Sequence, residues 1–88
     1  MSLQNNYSVY IVECADRTLY TGISNNVSAR IKTHNLGKGA KYTRVRRPVQ
    51  LRYQEFVGTR SQAQKREAEI KHYSRQEKFR LITQKRGN

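Results

Sequence analysis

Acidic residues are scarce in this chain, and between Asp16 and Glu55 there are none at all. Other absences narrow the field. Cys14 is the single cysteine, which excludes an internal disulfide and a cysteine-rich zinc site. Its expected role is that of a small buried hydrophobe in a strand. No apolar run approaches the ~20 residues of a membrane span, and no signal-peptide core follows Met1. With a single proline, Pro48, and no internal repeat, the chain shows no linker and no second domain. The run Lys38-Gly39-Ala40-Lys41 does not fit a P-loop, because no Gly-Lys-Ser/Thr follows at the required spacing. What remains is the expectation of a soluble cytoplasmic protein with no membrane attachment, a monomer by default.

Cations are abundant by contrast. Eighteen Lys and Arg against six Asp and Glu give +12 in 88 residues. Nine of the cations fall in the acid-free stretch: Arg17, Arg30, Lys32, Lys38, Lys41, Arg44, Arg46, Arg47 and Arg52. Towards the C-terminus, Glu67, Glu69 and Glu77 are interleaved with the basic residues. A block of one sign repels itself unless a polyanion is near, so a nucleic acid is the natural partner. An acidic membrane surface fits less well, since no basic amphipathic helix carries large apolar residues.

Eighty-eight residues suffice for one domain over 1–88. Its small core is expected to use Val9, Ile11, Val12, Leu19, Ile23, Val27, Ile31, Val49, Leu51, Phe56, Ile70, Leu81 and Ile82. Met1–Asn6 reads as a flexible polar lead. Tyr7–Val12, rich in β-branched and aromatic residues, reads as a strand, and Thr18–Thr21 as a second. Ala15-Asp16-Arg17 turns the chain between them into an antiparallel hairpin. Tyr10 and Tyr20 have equal parity and share a face; a three-residue loop centred on Ala15 would set them directly opposite.

Asn25 or Asn26 caps a helix running to about Asn35, which Leu36-Gly37 stops. Gly37–Pro48 reads as a loop dense in glycine and cations. Val49–Gln54 alternates as a third strand with Val49, Leu51 and Tyr53 inward. Thr59 with Gln62, and Ser74 with Glu77, mark two capping boxes that open helices to about Tyr73 and Lys85. The order β-β-α-β-α-α implies an α+β fold, a small three-stranded antiparallel sheet flanked by helices.

Several side chains fall where chemistry can be built. At about 100° per residue, Val27, Arg30, Ile31 and His34 occupy one arc of the first helix, so Arg30 and His34 lie beside its buried stripe. Ala63, Glu67 and Ile70 follow the spacing of a buried stripe on the second. A carboxylate there must be paired, metal-bound or at the stripe's edge. Spacing leaves open a metal ligand or a salt bridge to Arg30 or a lysine. Glu69 points elsewhere, with Lys65 at i−4 as a surface partner. His72 reads as surface. In the basic loop, Lys38, Lys41, Arg44, Arg46 and Arg47 are candidates to grip a nucleic-acid backbone, and Tyr42 to stack on a base.

Ser8-Val9-Tyr10, Tyr20-Thr21-Gly22, Arg30 with His34 one turn on, and a helical Glu67 resemble the GIY-YIG nuclease family. The likeness runs from about 7 to 82. It is strongest to the small stand-alone bacterial members, through Gly37–Arg44, Arg46-Arg47-Pro48-Val49 and Lys65–Lys71. Each motif alone is weak, and in this order they are strong together. The first triplet is Ser-Val-Tyr rather than Gly-Ile-Tyr, and the second Tyr-Thr-Gly rather than Tyr-Ile-Gly. The late asparagine of many larger members has no clear counterpart, Lys78 falling in that region.

The resemblance implies a metal-dependent endonuclease that hydrolyses DNA phosphodiester bonds, nicking one strand at a time, with a place in DNA repair or recombination and branched or damaged DNA among its substrates. Glu67 would hold Mg²⁺ (or Mn²⁺). Arg30 would fork onto the non-bridging phosphate oxygens. Tyr10 or Tyr20 would activate water, and His34 would relay that proton or contact phosphate. The alternative is a non-catalytic nucleic-acid-binding module that keeps the fold.

Overall fold

The computed structural model describes residues 6–86, with side chains described through residue 84, so all but Asn6 of the expected polar lead lies outside the described residues. Its elements are β1 (Tyr7–Glu13), β2 (Leu19–Ser24), α1 (Val27–Asn35), the one-turn α2 (Lys41–Arg44), β3 (Gln50–Gly58), α3 (Arg60–Lys71) and α4 (Arg75–Arg86). The strands form one antiparallel sheet in the order β2-β1-β3. This is the α+β architecture expected, with α2 added where a loop was expected.

Because β1 is central, both of its faces are covered. Val9 and Ile11 point to the side where Tyr53, Ala63, Ile70 and Ile82 complete one core. Tyr10 and Val12 point to the other, against Val27, Val49 and Ile31. Helices α3 and α4 therefore cover one face and α1 the other, and the strand's period of two sorts its residues between them. Cys14 is buried just beyond the end of β1.

The hairpin turns as expected but about a different centre. Cys14 N–H donates to Thr18 O at 2.8 Å, and Arg17 takes a positive φ of 73° to close the loop. The Asp16 carboxylate accepts from Thr18 N–H at 3.1 Å and Thr18 Oγ1 at 2.6 Å, which holds its pKa below the usual range. With Asp16 at the centre, Val12 pairs with Tyr20 and Tyr10 with Gly22. The two tyrosines are thus diagonal neighbours on one face, not opposite each other.

Strand β3 corrects a second expectation. Ile11 pairs with Tyr53 but Val12 with Leu51, so Arg52 is an extra residue in a bulge. The inserted residue reverses the alternation, which puts Leu51 on Val12's face at the sheet's edge, 38% exposed rather than in the core. Phe56, paired with Ser8, is 68% exposed and also leaves the expected core.

The helix signals act as read. Asn26 caps α1 by accepting from Ala29 N–H at 3.1 Å, and Gly37 ends it at φ 82°. Both capping boxes close. Thr59 Oγ1 accepts from Gln62 N–H at 3.1 Å, and Glu77 Oε1 accepts from Ser74 N–H at 2.8 Å. The Asn35 side chain then clamps α1 to the start of β3, accepting from Val49 N–H at 2.7 Å and donating to Val49 O at 3.1 Å.

Candidate active site

Tyr10 occupies the middle of the central strand and is 1% exposed. Its ring lies across Gly22 on β2, where an added Cβ would stand 2.6 Å from the phenol oxygen. Only a residue without a side chain leaves that space, which explains the glycine of the second triplet. The phenol oxygen is 2.8 Å from His34 Nε2. His34 is fully buried, and its Nδ1 is 2.7 Å from Thr43 Oγ1 on α2. Thr43, also fully buried, donates to Ala40 O at 3.0 Å. Gly39 passes so close to His34 that an added Cβ would collide with Nδ1.

The electrostatics around Tyr10 define the cluster. Burial pushes the phenol above its ordinary value of 10; the Arg30 guanidinium, close enough to hydrogen-bond it, pulls it down; and Tyr20 and Glu67 push it up again. Direct contacts join Tyr10 from β1 and Tyr20 from β2 to His34 of α1, while Arg30 of α1 and Glu67 of α3 act on the Tyr10 phenol through their charges. Desolvation outweighs the cation, so the net direction for Tyr10 is upward. Burial, and then Arg30, hold the His34 imidazole below its ordinary 6.5. Both ring nitrogens face protein groups, so a direct phosphate contact by His34 has no room.

Tyr20 is the more open of the two phenols. It meets His34 edge-on with centroids 5.4 Å apart and stacks on Tyr42 at 6.0 Å. Tyr42 also carries the Arg46 guanidinium 3.8 Å from its ring centroid. The residue expected to stack on a base is thus already stacked on the protein's own groups.

Arg46 is further tied to Asp16 at 3.0 Å and Tyr42 O at 2.8 Å. Arg47 donates to Arg44 O at 2.9 Å and to Asn35 O at 3.4 Å. These two cations brace the basic segment. Lys38, Lys41 and Arg44 are exposed and have no carboxylate partner among the described residues.

Glu67 stands at the stripe's edge, its side chain 20% exposed, with Lys71 Nζ 3.1 Å away. Of the partners that spacing left open, the salt bridge goes to a lysine and not to Arg30. Glu69 pairs with Arg66 at 2.8 Å instead of the expected Lys65. Among the described residues no group of three or more His, Cys, Asp or Glu side chains gathers as a metal cage. A lone carboxylate still fits Mg²⁺, which keeps most of its water and takes one or two carboxylates. Arg30 also lines an open cleft of about 270 Å³ with Tyr7, Ile23, Ser24, Asn25 and Arg60.

Gly22, Gly39 and Thr43 are the members of this site that sequence reading missed as such. For all three the signal lay in their motifs, Tyr20-Thr21-Gly22 and Gly37–Arg44; the motif could not show the burial of Thr43, which depends on α2 folding over His34.

The GIY-YIG catalytic domain family matches residues 6–80, and the chain belongs to that family. UPF0213 proteins from two Staphylococcus aureus strains, Mu3 and N315, are each 57% identical over 81 residues, covering 92% of this chain and 99% of their own. A solution NMR structure of the UPF0213 protein BH0048 from Bacillus halodurans matches with a TM-score of 0.58 at 44% identity, over 90% of this chain and 84% of that one. The family points to a nuclease and to nucleic acid as substrate. No helix among the described residues is long and apolar enough to cross a membrane.

Proposed function

We propose that the protein is a metal-dependent endonuclease that nicks DNA. The observation that carries this reading is the contact of Tyr10 and Tyr20 with His34, with the charges of Arg30 and Glu67 both acting on the Tyr10 phenol. Glu67 would hold Mg²⁺ (or Mn²⁺), which when bound supplies Lewis-acid polarisation of the phosphate and charge neutralisation at the leaving oxygen. Lys71, half-exposed, must swing off Glu67 for this, a modest cost for an i,i+4 pair.

Arg30 places donors where charge grows on the non-bridging oxygens. Tyr20, half-buried where Tyr10 is sealed, is the phenol that water can reach; acting as phenolate it would take the water's proton and become the neutral phenol. Tyr10 and His34 form the inner layer behind Arg30. Lys38, Lys41 and Arg44 hold the DNA backbone without reading its sequence. With one copy of the site per chain, a monomer cuts one strand. Branched or damaged DNA, in repair or recombination, suits a domain with no room for base readout.

The test is Mg²⁺-dependent nicking of plasmid and branched DNA by the wild type, Arg30→Ala and Glu67→Gln. Each substitution is expected to lower kcat by on the order of 10²-fold or more. Cleavage that survives both sinks the site assignment. Salt-sensitive binding without cleavage of duplex, flapped or single-stranded DNA would establish the non-catalytic module instead.

A further inference from the structure

The direction of the hydrogen bonds behind Tyr10 follows from where the Thr43 hydroxyl places its proton. Ala40 O is a carbonyl and can only accept; beside the Thr43 and Arg44 N–H groups at 3.2 and 3.1 Å, the Thr43 hydroxyl donates to it at 3.0 Å. Thr43 Oγ1 must therefore accept across the 2.7 Å contact, which requires a proton on His34 Nδ1. A neutral imidazole carries one N–H, so Nε2 is bare and accepts the Tyr10 O–H at 2.8 Å. Complete burial keeps the ring neutral, since no water reaches it to solvate an imidazolium. With its proton turned inward, the Tyr10 oxygen shows only lone pairs to Arg30, whose guanidinium has only donors. The opposite tautomer would aim Nε2–H at the phenol oxygen and turn the phenol proton out, donor against donor, toward Arg30.

We propose that Thr43 is a positioning residue of this site: anchored on Ala40 O, its hydroxyl holds His34 in the Nδ1–H tautomer and thereby makes Tyr10 an acceptor that aims Arg30. The Gly37–Arg44 segment, which sequence reading gave wholly to gripping nucleic acid, thus also sets proton positions inside the domain. Gly39 serves the same end, because any side chain there would strike Nδ1 and break the Thr43 contact. The kinetic consequence rests on the nuclease reading; the tautomer does not.

The experiment uses the full chain, labelled with ¹⁵N, and reads the His34 ring nitrogens by long-range ¹H–¹⁵N correlation at neutral pH. The wild type should show a protonated, pyrrole-like Nδ1 and a bare, pyridine-like Nε2. Thr43→Val keeps the shape but removes the acceptor, and should shift the ring toward Nε2–H; Thr43→Ser should keep the wild-type pattern. In the nicking assay, Thr43→Val should lower kcat on the order of 10²-fold while DNA binding stays within about twofold, and Thr43→Ser should restore the rate. A wild-type ring protonated on Nε2, an unchanged tautomer in Thr43→Val, or equal rate losses in Val and Ser would each overturn the proposal. The wild-type spectrum decides even if the valine variant fails to fold. If the wild type cleaves nothing but shows the Nδ1–H ring, the nuclease reading falls and the Thr43 assignment stands.

Discussion

Tyr10 and Tyr20 share a face, yet one is sealed at 1% exposure and the other half-open. Parity put both phenols on one side of the sheet; which of them meets water depends on α1 and α2 closing over the first. Thr21, between Tyr20 and Gly22, shows the same dependence. It is 2% exposed and its Oγ1 has no partner among the described residues. Thr21→Val should therefore stabilise the fold, by about 1 kcal/mol, read as a thermal shift of roughly 4–8 °C. A lower melting temperature would show that the hydroxyl does find a partner. His34 adds a pH dependence. Its pKa is depressed in the folded state, so the unfolded chain binds the proton more readily. Stability is full above about 6.5 and is lost as pH falls below it toward the folded value. Urea melts from neutral to mildly acidic pH should show this decline, and it should be smaller in His34→Gln.

At the scale of elements, local signals and pairing geometry had different success. The capping residues Asn26, Thr59 and Ser74 act within four residues, so sequence reading located all three helix starts. The bulge at Arg52 is a matter of how β3 meets β1, and the alternation of Val49, Leu51 and Tyr53 could not reveal it. The short α2 lacks a side-chain cap and any pattern of its own; it forms because Thr43 has a buried partner in His34. Helix α3 is fastened to β3 by a fork from Arg66 to Glu55, at 2.8 and 3.1 Å, to which Tyr53 donates at 2.6 Å. These side chains are about three-quarters shielded, whereas Glu69, the other partner of Arg66, is 59% exposed. Removing the fork with Arg66→Ala should cost about 1.5–3 kcal/mol, and Glu69→Ala no more than about 0.5 kcal/mol. Chemical denaturation of the two variants ranks the contacts, and equal losses would contradict the ranking.

For the molecule as a whole, the acid-free stretch divides into bracing and free cations. Arg46 and Arg47 hold the segment between α1 and β3 in shape, while Lys38, Lys41 and Arg44 face solvent. Replacing those three with alanine should flatten the salt dependence of DNA binding by about two to three units of slope, alike for every sequence. Arg46→Ala and Arg47→Ala should instead lower the melting temperature more than they change that slope. Fluorescence anisotropy across a salt series, beside thermal melts, separates the two groups. A slope change as large for Arg47→Ala as for the triple variant would contradict the division.

The sequence by itself determined the α+β class, the hairpin, the capped helix starts and the family, because periodicity, caps and motif order are properties of neighbouring residues. Tertiary structure alone decided that Tyr10 is the inner phenol, that Glu67 pairs with Lys71, and that Thr43 stands behind His34. Those facts follow from which surfaces exclude water and which donors meet which acceptors, and the chain has neither until β1, α1 and α2 have packed together.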